Sequence, residues 1–138
     1  MSDAVTQDKF EAFRDLHNRG RIFVLPNAWD VGSARMLKAL GYEAIATTSW
    51  GAAIVAGRMD GAGAIPREVA LDHAQEMVAA TDLPVSADLE DGFGASPEDV
   101  AETIRAAAAV GLAGCTIEDT TGDPATINDS TSSKRAPP

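Results

Sequence analysis

The residues of this 138-residue sequence best placed to do chemistry are Asp88 and Glu90, in Asp88-Leu89-Glu90, and Glu118, in Ile117-Glu118-Asp119. If each triplet ends a β-strand, the strand period puts Asp88 and Glu90 on one side and Leu89 on the other. A neighbouring parallel strand about 4.8 Å away then brings Glu118 to the same point. Two unit charges about 4 Å apart repel by roughly 4 kcal/mol at an effective dielectric of about 20. A proton, a basic side chain or a cation must offset that. Carboxylate ligation with open positions suits Mg²⁺, which keeps waters and takes substrate oxygens as further ligands. Asp91 and Asp99, beside a turn and a helix start, read instead as turn and cap residues.

The elements that must position this set follow from periodicity. Residues 6–18 place Phe10, Phe13, Leu16 and His17 at helical spacing, which predicts a lead-in helix. The apolar run 21–25 before Pro26 predicts a buried strand. Asp30 is an N-cap for a helix over 31–40, and Gly41 closes it. A second strand is expected over 43–48, followed by a glycine-rich loop over 49–66, longer than most connections and so a candidate functional segment. A helix over 67–81, a strand over 84–89, a helix over 96–110 and a strand over 114–118 complete the pattern. Ser96-Pro97-Glu98-Asp99 is a strong helix start, and Gly111 a stop.

This alternation predicts an α/β fold with a parallel sheet and crossover helices. No Gly-x-Gly-x-x-Gly follows the first strand, which argues against a dinucleotide-binding sheet. Polar and acidic residues gather instead at strand C-termini: Asn27 and Asp30, Thr48 and Ser49, Asp88 and Glu90, Glu118 and Asp119. That is the active face of a TIM-type barrel. The expected architecture is a partial TIM-type (β/α) barrel of about four parallel strands, with the folded domain over 1–124 and a disordered Thr-, Ser- and Pro-rich tail over 125–138. A whole barrel takes about 250 residues, so half a barrel, or a truncated one, is the expectation.

Composition narrows the partners. A net charge of −10 argues against nucleic acid, whose recognition needs clustered Lys and Arg. No run approaches the roughly 20 apolar residues of a membrane span. The N-terminal residues carry no basic and apolar leader, so no secretory signal is expected. The single cysteine, Cys115, excludes an intrachain disulfide, suits a cytoplasmic setting and reads as a small core residue.

At this point the residues resemble a family. Pro26-Asn27-Ala28-Trp29-Asp30 with Gly32-Ser33-Ala34-Arg35, Ala46-Thr47-Thr48-Ser49 with Gly51, Asp60 before Ile65-Pro66, Ala87-Asp88-Leu89-Glu90-Asp91-Gly92-Phe93-Gly94, and Ile117-Glu118-Asp119 resemble, in order, the isocitrate lyase/phosphoenolpyruvate mutase superfamily. The match spans about residues 10–124. The resemblance implies that Asp88 ligates Mg²⁺ directly, with Glu90 and Glu118 holding metal-bound waters. It implies that Ser49 and Gly51, with Trp50 between them, clamp a substrate carboxylate or phosphonate, and that Asp60 is a catalytic residue on a gating segment. The chemistry implied is C–C or P–C bond cleavage or rearrangement of a small 2-oxo or 2-hydroxy acid, or a phosphonopyruvate relative, through an enolate.

The departures are specific. Where lyases of the family carry Lys-Lys-Cys-Gly-His, and mutases another Lys- and Asn-containing loop, this sequence reads Thr120-Thr121-Gly122-Asp123-Pro124. It resembles a less defined, phosphonomutase-like branch. A non-catalytic half-barrel that serves as an interaction module, open-edged and able to form a homo-oligomer, is the alternative reading. His17 and His73, on predicted helices, read as packing or surface residues. Trp29 and Trp50 are candidates for lining a pocket, and Arg58 and Arg67 flank the gating segment.

Overall fold

The computed structural model describes residues 3–61 and 63–119. The elements run α1 (Asp3–Asn18), α2 (Val31–Ala39), β1 (Ile45–Ala46), α3 (Ser49–Val55), α4 (Arg67–Ala80), β2 (Val85–Asp88), α5 (Pro97–Ala109) and β3 (Gly114–Thr116). The strands form one parallel sheet in the order β1-β2-β3, with Ile45 opposite Val85 and Ser86 opposite Gly114. Each strand reaches the next through a helix, so the predicted α/β alternation is present and the described sheet is open rather than closed into a barrel.

One face of this sheet makes the core. Ile45, Val85, Ala87 and Leu89 pack with Ala34 of α2, Leu71, Ala74, Met77 and Val78 of α4, and Ala107 of α5. The alternation is visible in β2, where Val85 and Ala87 point into the helical layer while Asp88 turns away from it. A smaller cluster of Ala52, Ala53, Ile65 and Ala70, with Phe93 against it, ties α3 and the segment before α4 to the main body. Small side chains dominate both clusters, which lets helix and strand backbones approach closely.

Helix α1 lies at the strands' N-terminal end. Lys9 is buried and donates to the carbonyls of Val78 (3.2 Å) and Thr81 (2.8 Å), supplying hydrogen bonds that the end of α4 cannot make internally. Phe13 stacks edge-on with His17 and Phe23, and it sits so close to Gly114 that a Cβ there would stand 2.7 Å from its ring. His17 is thus a packing residue, as its sequence position suggests.

Three expectations need correction. The run 21–25 is no buried strand. The segment meets β1 only through a parallel bridge between Asn27 and Ala46, with Ile22 94% and Val24 63% exposed. Its alternate residue Phe23 packs on α1, so one side of the run is covered and the other is not. The expected loop over 49–66 begins with a helix, α3, whose alanines fill the second cluster. The strands over 43–48 and 114–118 are shorter than their apolar patterns. The proposed tail over 125–138 lies outside the described residues. Among those described, no helix is long and apolar enough to cross a membrane.

The start of α5 is the best-defined local signal. Ser96 Oγ accepts from Asp99 N–H, and Asp99 in turn accepts from Ser96 N–H and Oγ–H, a reciprocal box with Pro97 at the first turn. These Ser96 hydrogen bonds hold the Asp99 carboxyl below its ordinary value of 3.8. A depressed folded value contributes stability above pH 3.8 and loses it as pH falls through the folded value. Ser96→Ala is therefore expected to cost about 1 kcal/mol at neutral pH. In urea titrations the gap from the parent should narrow on acidification through that range.

Candidate metal and substrate site

Asp88 is the last residue of β2, and its carboxylate is held from two sides. Oδ2 accepts from the Ser49 N–H (3.0 Å) at the start of α3, and Oδ1 accepts from the Glu90 N–H (3.2 Å). Its own N–H donates to Thr47 Oγ1 at 3.1 Å. The carboxylate thus joins the end of β2 to the end of β1 and the turn that follows β2. Charge-assisted bonds of this kind are each worth about 1.5–3 kcal/mol.

Beyond Asp88 the chain turns sharply. Glu90, Gly92 and Phe93 all have left-handed φ values of +46°, +86° and +57°. Two side chains maintain the turn: Asp91 Oδ1 accepts from Phe93 N–H at 2.9 Å, and the fully buried Thr103 donates to the Gly92 carbonyl at 2.8 Å. The turn directs Glu90 toward the segment that precedes α4, where its Oε2 accepts from Gly63 N–H at 3.3 Å. Burial pushes the Glu90 carboxyl up, and the nearby negative charges of Asp88, Asp91 and Asp60 push it further. Left-handed backbone at non-glycine residues is costly and clusters at functional sites.

The structure therefore brings Asp88 and Glu90 of the sequence-derived set together at the end of β2, and Asp60 is near enough to add to the field at Glu90. Glu118 is exposed, and its tie to the others is its backbone N–H, which donates to the Glu90 carbonyl at 2.7 Å. Among the described residues no three His, Cys, Asp or Glu side chains are placed to hold one metal ion together. A cage of three carboxylates is thus not formed. The donor set fits a hard cation taken by one carboxylate and completed by waters, since Mg²⁺ is commonly bound through one or two carboxylates. The accumulated negative charge around Glu90 supplies the electrostatic reason for a cation there.

Ser49, Trp50 and Gly51 form the first turn of α3 beside Asp88. Gly51 is buried against Trp29: a Cβ at this position would stand 2.8 Å from Trp29 Cβ and 2.7 Å from Thr48 Cγ2. Trp29 and Trp50 are both more than half exposed, at 53% and 58%, so each presents most of its ring outside the core. Asp30 caps α2 through Ser33, whose Oγ also accepts from the Trp29 and Asp30 N–H groups. Arg58 donates to the Ala64 carbonyl, and Arg67 pairs with Glu102. Both line a cleft of about 690 Å³ with Ile65, Phe93 and Asp99, which runs beside the segment before α4 and does not have Asp88 or Ser49 in its walls. Burial raises the Cys115 thiol, as suits a packed rather than a reactive cysteine.

Sequence reasoning missed Thr47 and Thr103, and read His73 as a packing or surface residue without its tie to Trp29. Each makes a hydrogen bond to backbone that no local spacing announces.

The family model described as phosphoenolpyruvate phosphomutase matches residues 13–135. An uncharacterized protein of Mycobacterium tuberculosis is 41% identical over 113 residues, covering 81% of this chain and 42% of that protein. The 2-methylisocitrate lyase of Halalkalibacterium halodurans is 32% identical over 110 residues, covering 79% and 36%. A crystal structure of a candidate lyase/mutase from Burkholderia cenocepacia superposes with a TM-score of 0.87 at 48% identity, covering 94% of this chain and 46% of that one. Oxaloacetate acetylhydrolase in complex with its product oxalate superposes with a TM-score of 0.73 at 29% identity, covering 80% and 39%. The chain thus spans less than half the length of these proteins.

The Gly51 contact makes a direct prediction. Gly51→Ala must push Trp29 or Thr48 aside, and overpacking of this kind typically costs about 1–3 kcal/mol. The loss should appear as a lower urea midpoint, with a shift in tryptophan emission from displacement of Trp29.

Proposed function

The chain belongs to the phosphoenolpyruvate phosphomutase family, and from that premise we propose that it carries the Mg²⁺-binding and substrate-clamping residues of a lyase- or mutase-type enzyme. The substrate is a small 2-oxo or 2-hydroxy acid or a phosphonopyruvate-like compound, and the reaction passes through an enolate. The observation that carries this reading is the Asp88 carboxylate, fixed by the Ser49 and Glu90 amides at the end of a parallel strand, with the charged Asp88, Asp91 and Asp60 all felt at the partly buried Glu90 next to it. The names of the similar proteins, lyases and a hydrolase of small acids, support the same class.

The roles proposed are those the family resemblance implies. Asp88 would hold Mg²⁺ directly, with Glu90 and Glu118 orienting its waters. The ion, when bound, would offset negative charge developing on the substrate's oxygen. The Ser49 hydroxyl and the amides of Trp50 and Gly51 would receive the substrate's carboxylate or phosphonate, as preorganised donors beside an anion. Asp60 would approach the reacting carbon when the segment preceding α4 closes. A cytoplasmic setting belongs to the proposal and rests on the lone cysteine.

Thermal unfolding with Mg²⁺ alone, oxalate alone and both together tests the site. A ligand at about 100 times its Kd adds about 2.7 kcal/mol, which moves Tm by several degrees. The pair should raise Tm more than either alone, and Asp88→Asn should remove the Mg²⁺ increment. Equal Tm values with and without Mg²⁺ would overturn the site.

A second reading, an interaction module, is favoured by the exposed Ile22, Val24, Met36 and Leu40 on the first segment and α2. Self-pairing along that edge would give a dimer in sedimentation equilibrium, and a monomer at all concentrations would exclude it.

A further inference from the structure

His73 has so far been given no task in the proposed site. It lies on α4, and its Nε2 is 2.8 Å from the Trp29 carbonyl. A carbonyl oxygen only accepts, so the contact requires the hydrogen on Nε2 and defines the tautomer. Helix α4 packs against α2, and the imidazole adds, as the last of several causes, to the Ser33 hydrogen bonds that hold the Asp30 carboxyl low. Trp29 in turn lies over Gly51 with no room for a methyl group between them. Two residues before Gly51, the Ser49 N–H donates to Asp88.

These contacts run in series from α4 through the loop before α2 to the first turn of α3 and the end of β2. Among the described residues no other hydrogen bond links the loop at Trp29 to α4. We infer that His73 is a positioning residue: by holding the Trp29 carbonyl it seats Trp29 on Gly51 and thereby fixes the Ser49 amide against Asp88. This rests on the proposed site only for its consequence in binding, because the coupling itself belongs to the fold. A histidine that merely solvated the helix surface would have no effect at residue 49.

Amide hydrogen exchange on the full chain distinguishes the two. His73→Leu keeps bulk but removes the donor, and His73→Gln restores an N–H at the end of a side chain of similar reach. In His73→Leu the amides of Ser49 and Ala52 should exchange about tenfold faster while α5 is unchanged, because local opening is separable from global unfolding. His73→Gln should return them to the parent rate. Unchanged exchange at residues 49–52, an equal rise throughout α5, or His73→Gln behaving like His73→Leu would each overturn the inference. If His73→Leu does not fold, His73→Met is read against the same criteria. Calorimetric titration with oxalate in Mg²⁺ separates this result from the proposed activity. Changed exchange at residue 49 with no oxalate binding by the parent would retain the positioning role and reject the activity.

Discussion

Negative charge concentrated at the end of β2 is the constraint around which the rest of the described fold is arranged. Asp88 ends the strand, Glu90 follows it in the left-handed turn, and Asp88, Asp60 and Asp91 all add to the field felt by Glu90. At a separation of about 4 Å, one pair of such charges costs roughly 4 kcal/mol at an effective dielectric of about 20. The Asp88 carboxylate accepts from two backbone amides, those of Ser49 and Glu90. Glu90 has the single amide of Gly63 and remains partly buried, so its carboxyl titrates high. The imbalance that is left is of the kind a bound cation relieves.

Holding backbone amides at a carboxylate requires loops that do not wander, and small residues make this possible. Gly51 lets Trp29 lie directly on the first turn of α3, and Ala52, Ala53 and Ala70 bring that helix onto α4. Gly92 admits the Val100 side chain where a Cβ would come within 2.9 Å of it, and Thr103 holds its carbonyl. The strained turn is thus over-determined by packing below it and hydrogen bonds beside it, which is how left-handed φ values at Glu90 and Phe93 persist. The same economy of volume explains why alanine supplies so much of the core.

Much of this was legible in the residues. Period-two alternation in Asp88-Leu89-Glu90 located the strand end, and Leu89 is fully buried as it requires. Ser96-Pro97-Glu98-Asp99 announced α5, and Asp30 announced α2, because capping chemistry is local. The run 21–25 misled because an apolar run says nothing of whether a second surface covers it, and Ile22 and Val24 have none among the described residues. Helix α3 was hidden by the glycines around it, since Gly51 reads as a breaker when it is a contact. His73 and Thr47 were illegible for a further reason: their partners lie 44 and 41 residues away in the chain.

The central claim is that Asp88 is the residue through which this chain takes a divalent cation. Mn²⁺ replaces Mg²⁺ with the same preference for oxygen ligands and scatters anomalously, so crystals grown with Mn²⁺ report the ligand directly. The account predicts an anomalous peak within bonding distance of the Asp88 carboxylate, with Glu90 reaching it through water. A peak elsewhere on the chain, or crystals saturated with Mn²⁺ that show none at Asp88, would contradict it.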